Sequence, residues 1–236
     1  MPKQARPDTF QSEVEVHYSV GFLDKLVSFS VHGCSNLRRF LKRLKLRSLE
    51  FINLEGYSSL ENFSEIEYEI KGLRRLDLNG ASLKELPSSI EYLTGLEIFN
   101  LPSCKNLPTS ILQLQHLKSI HVDDSSELKF QKQVGDSTQS IQSTIGFQSM
   151  QEASLRDGIL SESNFFTTFN CSSTLENLDL SRSDIVSLPA CIRRFIRLRY
   201  LRLNDCKKLE EILDLPPDIL EVYAAGCMPL ERFPEV

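Results

Sequence analysis

Apolar side chains in this chain fall into a spacing that recurs along its length. Leu23, Leu26, Phe29, Val31, Cys34, Leu37 and Phe40 return 23 positions later as Leu46, Leu49, Ile52, Leu54, Tyr57, Leu60 and Phe63. Seven matches at one fixed shift put periodicity ahead of any local element. The next units are Ile70, Leu73, Leu76, Leu78, Ala81, Leu83, Leu86, then Leu93, Leu96, Phe99, Leu101, Cys104, Leu107. A fifth runs Leu114, Leu117, Ile120, Val122, Ser125, Leu128. The register then breaks over 131–146, "QKQVGDSTQSIQSTIG", a polar stretch read as an inserted loop. It resumes with Phe147, Met150, Ala153, Leu155, Gly158, and continues through units centred on Leu178–Leu180, Leu201–Leu203 and Val222–Ala224. Nine units of about 21 to 33 residues fill nearly the whole chain.

Two apolar residues separated by one polar residue leave the same face of a strand, so each unit predicts one short strand. The stretch "LPSSIEYLTGLEIFNL", Leu86 to Leu101, shows the seam between units. Its front, opened by Pro87 and two serines, starts like a helix, and its back alternates like a strand. One unit cannot cover its own leucines, so neighbours must stack. The spacing is that of the leucine-rich repeat, L-x-x-L-x-L-x-x-N/C-x-L. The expected fold is an α/β solenoid, a horseshoe with a parallel concave β-sheet and one short strand per repeat. Residues 23–236 form the repeat domain, and 1–22 form an N-terminal cap or irregular lead-in in which "VEVHYSV" reads as a short capping strand.

A net charge of −5 gives no reason to expect a polyanion partner, and no stretch of about 18 apolar residues predicts a membrane span. The start lacks an apolar run, so it does not read as a secretory signal. Six cysteines spread through such a chain read as reduced thiols. Those at the fifth apolar slot (Cys34, Cys104, Cys206, Cys227) fit the small position under the turn that leaves the strand. Cys206 and Cys227 occupy equivalent slots in consecutive units, a spacing that permits a disulfide. A reducing compartment favours thiols.

The outer-side wording narrows the type of repeat. "LKELPSSIEYLTGL" and "IVSLPACIRRFIRLRYLRLNDCKKLEEI" place Leu-Pro where a repeat turns away from the sheet, without the Gly-x-Ile-Pro of the extracellular plant type. Together with the ending "LPPDILEVYAAGCMPLERFPEV", this resembles the repeat region of plant TIR-NBS-LRR disease-resistance proteins, over roughly Leu23 to Val236. The resemblance implies a protein-interaction module of an intracellular immune receptor, cytoplasmic or nuclear, that senses an effector and restrains a nucleotide switch. The implied partners are a pathogen effector, a guarded host protein, or the receptor's own nucleotide-binding domain. No G-x-x-x-x-G-K-[ST] loop is present, so the family's nucleotide and NAD chemistry transfers to no residue here. The chain reads as the repeat region alone. A free-standing intracellular repeat scaffold or regulator of a signalling protein is the alternative.

On each strand the residues flanking the apolar pair point out of the concave face. Aromatic and Arg side chains supply most interface anchors, which selects Phe51, Arg75, Ile98, Tyr200, Arg202 and Tyr223 as contact candidates. Asn100 and His121 join them from the same face. The basic runs at 37–47 and 193–208 suggest nucleic acid at first sight. In the repeat register their cations face several directions, and the acidic run "ENFSEIEYE" lies close by, so nucleic-acid binding is not expected. No nucleophile elbow, H-E-x-x-H or Cys/His cluster with zinc spacing appears, so neither enzyme activity, metal nor cofactor is expected.

Overall fold

The computed structural model of the chain describes residues 14–31, 37–101, 106–122, 129–131, 147–158 and 174–233. The insertion expected over 131–146 lies outside these apart from Gln131, and Cys34, Cys104 and Cys171 also lie outside.

Nine strands of three or four residues form one parallel sheet, paired in the order in which they follow along the chain. They are Ser28–Ser30, Phe51–Asn53, Arg75–Asp77, Ile98–Leu101, Ser119–Val122, Glu152–Leu155, Asn177–Asp179, Tyr200–Arg202 and Glu221–Tyr223. Pairing follows the apolar register: Ile52 lies beside Leu76, Leu76 beside Phe99, Phe99 beside Ile120. Beyond 131–146 the same row continues through Ala153, Leu178, Leu201 and Val222. The polar stretch therefore leaves the sheet unbroken. From Ile52 to Leu201 this row is buried, and so is the row of second leucines from Leu54 to Leu203. The core is thus a ribbon running the length of the stack, as stacking of incomplete units requires.

Each strand is entered through the same backbone device. One carbonyl of a unit accepts two successive amides of the next: Arg74 O takes Glu97 N and Ile98 N, both at 2.9 Å. The pattern recurs from Val27 O, which takes Glu50 N and Phe51 N, to Arg199 O, which takes Leu220 N and Glu221 N. These bonds satisfy the amides that a buried seam would otherwise leave unpaired.

Leaving the strand, the chain turns through a left-handed residue that stacks in a column: Gly56, Gly80, Asp157, Arg182, Asp205 and Gly226, with φ between 57° and 81°. Asp adopts this conformation more readily than most residues, but Arg does so at a cost. Arg182 is held there by two bonds to Asp157 of the preceding turn, at 2.7 and 2.6 Å.

The outer side returns through 3-10 turns at Ser88–Tyr92, Thr109–Gln113 and Ala190–Arg194. Each is preceded by a proline (Pro87, Pro108, Pro189) with φ near −65°, so the Leu-Pro pairs mark the start of the outer return, further along than the point where the chain leaves the sheet. Each buries an isoleucine: Ile90, Ile111 or Ile192. No α-helix occurs among the described residues. A 3-10 turn rises about 2.0 Å per residue against 1.5 Å for an α-helix, so it spans the short return with fewer residues. The helical half of the α/β pattern is therefore carried by these turns. In "VEVHYSV" only Val14–Glu15 is strand, paired with Leu37–Arg39, and a 3-10 turn follows at Tyr18–Phe22. That turn precedes its strand as Ser88–Tyr92 precedes Ile98–Leu101. The lead-in thus supplies an outer return of the repeat type.

At Gly95 the backbones of two units approach so closely that a Cβ would lie 1.9 Å from the carbonyl oxygen of Lys71. A Cβ added at Gly21 would meet nothing within 4 Å beyond its chain neighbours. Gly95→Ala is expected to destabilise by about 1–3 kcal/mol, the range for overpacking. Gly21→Ala is expected to change stability little. Urea midpoints of the two variants check this, and equal midpoints would contradict the seam geometry.

Candidate partner-binding face

The sheet presents two polar rows on its concave face, set by the register. The first strand positions run Ser28, Phe51, Arg75, Ile98, Ser119, Glu152, Asn177, Tyr200, Glu221. The third run Ser30, Asn53, Asp77, Asn100, His121, Ser154, Asp179, Arg202, Tyr223. With strands about 4.8 Å apart, each row is about 38 Å long.

The eight candidates separate into two clusters. Phe51, Arg75 and Ile98 are consecutive in the first row, with Asn100 and His121 beside them in the second. Tyr200, Arg202 and Tyr223 occupy the last two strands. Between them lie the strands Glu152–Leu155 and Asn177–Asp179, whose Ser154 and Asp179 are buried. The face is therefore two patches rather than one.

The first cluster is internally tied. Asp77, only 4% exposed, accepts from the Asn79 amide at 3.2 Å, from Arg75 Nη2 at 3.2 Å and from Asn100 Nδ2 at 2.6 Å. The Arg75 guanidinium also lies over the Phe51 ring, 6.0 Å from its centroid. His121 Nε2 is 2.7 Å from Ser119 Oγ. Asn100 Oδ1 is buried without a hydrogen-bond partner and is the acceptor this cluster leaves unused.

Asp179 repeats the arrangement of Asp77. It accepts from the Ser181 amide at 3.0 Å and from Arg156 Nε and Nη2 at 2.8 and 2.7 Å. With Asn53, which accepts from the Glu55 amide at 2.8 Å, three third-row residues close Asx turns at the strand exit. Alternation alone places Asp77 and Asp179 on the concave face and misses this turn-closing role. Recurrence of Asn or Asp two residues before a turn is the signal that could have revealed it. Burial acts to raise the Asp179 pKa, but the Ser181 hydrogen bonds and Arg156 more than offset it and hold it below the ordinary value.

The second cluster is less constrained. Arg202 lies over the Tyr223 ring, 5.7 Å from its centroid, and no carboxylate pairs with it among the described residues. The Tyr223 hydroxyl donates to Glu221 of its own strand. Tyr223 is exposed, and Tyr200 and Arg202 are half-buried.

The cysteine slots and basic runs serve the stack. Cys206 Sγ donates to Leu180 O at 3.3 Å and Cys227 Sγ to Leu203 O at 2.9 Å, each the carbonyl of the preceding unit. Both are free thiols, and burial pushes Cys206 up. In the 37–47 run, Leu37, Phe40, Leu41, Leu44 and Leu46 are buried. Two of its cations turn toward the acidic run one repeat on: Lys45 Nζ is 2.7 Å from Glu67 and Arg43 3.8 Å. Glu61 of that run meets Lys84 of the following unit at 2.5 Å. Hydrogen bonding to Lys45 and Lys84 lowers the pKa of Glu67 and Glu61 respectively. In the 193–208 run, Arg193 meets Asp214, Lys207 meets Asp205 and Lys208 meets Asp184.

The lowered Asp179 pKa fixes the sign of a pH effect. Its ordinary value is 3.8, so ionised Asp179 contributes stability at neutral pH that is lost as pH falls from about 4 through the lowered folded value. Asp179→Asn should have a lower urea midpoint than the unsubstituted protein at pH 7, and the two midpoints should approach each other as pH falls from about 4 and converge below the lowered folded value. Parallel pH profiles would contradict the assignment.

Similarity to known proteins narrows the class. Residues 45–198, well over half of the chain, match the family described as disease resistance protein RPS4B-like, leucine-rich repeats. TMV resistance protein N of Nicotiana glutinosa is 27% identical over 92% of this chain and 23% of its own length. Disease resistance protein RPS4B of Arabidopsis thaliana is 28% identical over 88% of this chain and 16% of its own. The chain thus spans less than a quarter of either relative. The leucine-rich repeat domain of the type III effector XopL superposes with a TM-score of 0.51 at 18% identity, over 70% of this chain and 65% of that one, a likeness of fold. No helix of the described residues is long and apolar enough to cross a membrane. By its repeat spacing, its 3-10 returns and this match, the chain belongs to the leucine-rich repeat family of RPS4B-like plant disease-resistance proteins.

Proposed function

We propose that the concave face is the partner-binding surface of an intracellular plant immune receptor, cytoplasmic or nuclear. The second cluster is its principal anchor. One observation carries this reading: Tyr200, Arg202 and Tyr223 stand side by side on adjacent strands, and the Arg202 guanidinium has no carboxylate partner among the described residues. Tyrosine and arginine are the side chains most enriched at interface hot spots. Phe51, Arg75, Ile98, Asn100 and His121 form a secondary contact, pre-ordered by Asp77 and therefore less adaptable.

The partner is a pathogen effector, a guarded host protein, or a nucleotide-binding domain of the receptor. Binding acts by population shift. The repeats hold the switch closed in one state, and an effector that favours the other state moves the equilibrium by its difference in affinity. The chain's own residues supply contact surface, and no bond is made or broken in this step.

Replacing Tyr200, Arg202 and Tyr223 together with Ala tests the reading, with partners first identified by affinity purification from plant tissue. Loss of three anchors, even counted as a single hot spot of about 2 kcal/mol, predicts at least about 30-fold weaker binding. Unchanged affinity in a variant with a native circular dichroism spectrum would remove this cluster from the interface.

A further inference from the structure

The basic run at 37–47 has one side neutralised and one side that meets no further strand among the described residues. Its short strand Arg43–Leu44 pairs with Glu65–Ile66 of the next unit. Lys42 O and Leu44 O accept from the Glu65 and Glu67 amides at 3.3 Å each, and the Glu67 carboxylate takes Lys45 and Arg43. No backbone bond from the described residues reaches the other edge of this strand.

Along that other edge lies a cavity of about 760 Å³, walled by the lead-in on one side and residues 39–45 on the other. Phe40, Leu41 and Phe63 contribute buried apolar surface to its lining, and Tyr18 and Phe22 stand at its rim, 72% and 74% exposed. Arg39, Lys42, Arg43 and Lys45 line it; Arg43 and Lys45 are held by Glu67 on the paired side, and Glu15, the carboxylate in the lining, is 3.5 Å from Arg39. The Lys42 ammonium has no acidic partner among the described residues.

We propose that this groove is a second docking site, distinct from the concave face, and that its occupant is an extended acidic segment of a partner polypeptide with an apolar residue between its carboxylates. The molecule itself displays the kind of segment this strand accepts. On its paired edge sits "SEIEYE", Ser64 to Glu69, in which Ile66 is buried while Glu65 is exposed and Glu67 binds the cations. An incoming segment of the same pattern adds along the open edge, a known mode of peptide capture by sheet edges. Its carboxylates meet Arg39 and Lys42, and its apolar side chain enters between Phe22 and Phe40. The concave clusters take no part in this.

A fluorescein-labelled peptide of sequence SEIEYE, titrated against the full chain at low salt and followed by anisotropy, tests the proposal. Saturable binding is expected, weakened at least tenfold by Lys42→Glu and at least tenfold by Phe22→Ala, both at exposed positions. The charge-reversed peptide SKIKYK should not bind. The variant with Tyr200, Arg202 and Tyr223 replaced by Ala should bind the peptide normally, which separates this site from the concave one. No saturable binding, or binding insensitive to both substitutions, overturns the proposal. So does displacement of the peptide by an equal concentration of the oligonucleotide dT10, which would make the groove a general polyanion site.

Discussion

Every repeat leaves one flank of its strand leucines uncovered, and only the neighbouring repeat covers it. That constraint sets the rest of the structure. Because burial must come from the next unit, consecutive strands pair in register, and one carbonyl per unit can serve two amides of its neighbour at seam after seam. Because the units stack closely, the residues between them must be small or turned aside. Gly95 meets the Lys71 carbonyl, and among the described residues a column of left-handed residues carries the chain out of six of the nine strands. Surface ion pairs contribute little singly. Their placement across seams, as in Arg74–Glu97–Lys118 with contacts of 3.0 and 2.6 Å, aligns them with the direction in which the stack must hold.

The same constraint frees the concave face. Side chains of the two polar rows project away from the core, so their identity is not dictated by packing. This is why a run of Phe51, Arg75 and Ile98 can follow Ser28, and why Glu152 and Asn177 can stand before Tyr200. Where a concave residue is fixed, the reason is local: Asp77 and Asp179 close turns and are fastened by Arg75 and Arg156. Arg202, the equivalent residue one strand on from Asp179, has no such duty, and its guanidinium rests on the Tyr223 ring.

The buried slots were legible in the sequence because burial is periodic: each leucine from Leu46 to Leu209 on the repeat spacing that the structure describes lies in the core. The Leu-Pro pairs were equally readable, since proline at φ near −65° admits few alternatives. Other features escaped because they depend on which residue meets which across a seam. Arg182 carries no sign of a left-handed conformation, and its hold on Asp157 exists only once the units are stacked. Alternation assigns Asp77 and Asp179 to a face but cannot say that a turn amide and an arginine bury them there. The basic and acidic runs lie some twenty residues apart in the chain, and only the repeat step lays one against the other. Alternation in "VEVHYSV" suggests a short capping strand, whereas the pairing partner at Leu37–Arg39 and the following turn decide its form.

Excising one unit tests the stacking account most directly. Removing residues 73–95, 23 residues in all, joins Gly72 to Leu96 and leaves every remaining seam between equivalent positions. Removing 73–84 instead takes out about half a unit and shifts the register. The account predicts that the first variant unfolds cooperatively in urea with a smaller m-value, in keeping with its shorter stack, and that the second is unfolded or loses cooperativity. If excising the whole unit abolishes folding as completely as excising half, or if the half-unit variant folds as well, the one-dimensional stack is contradicted.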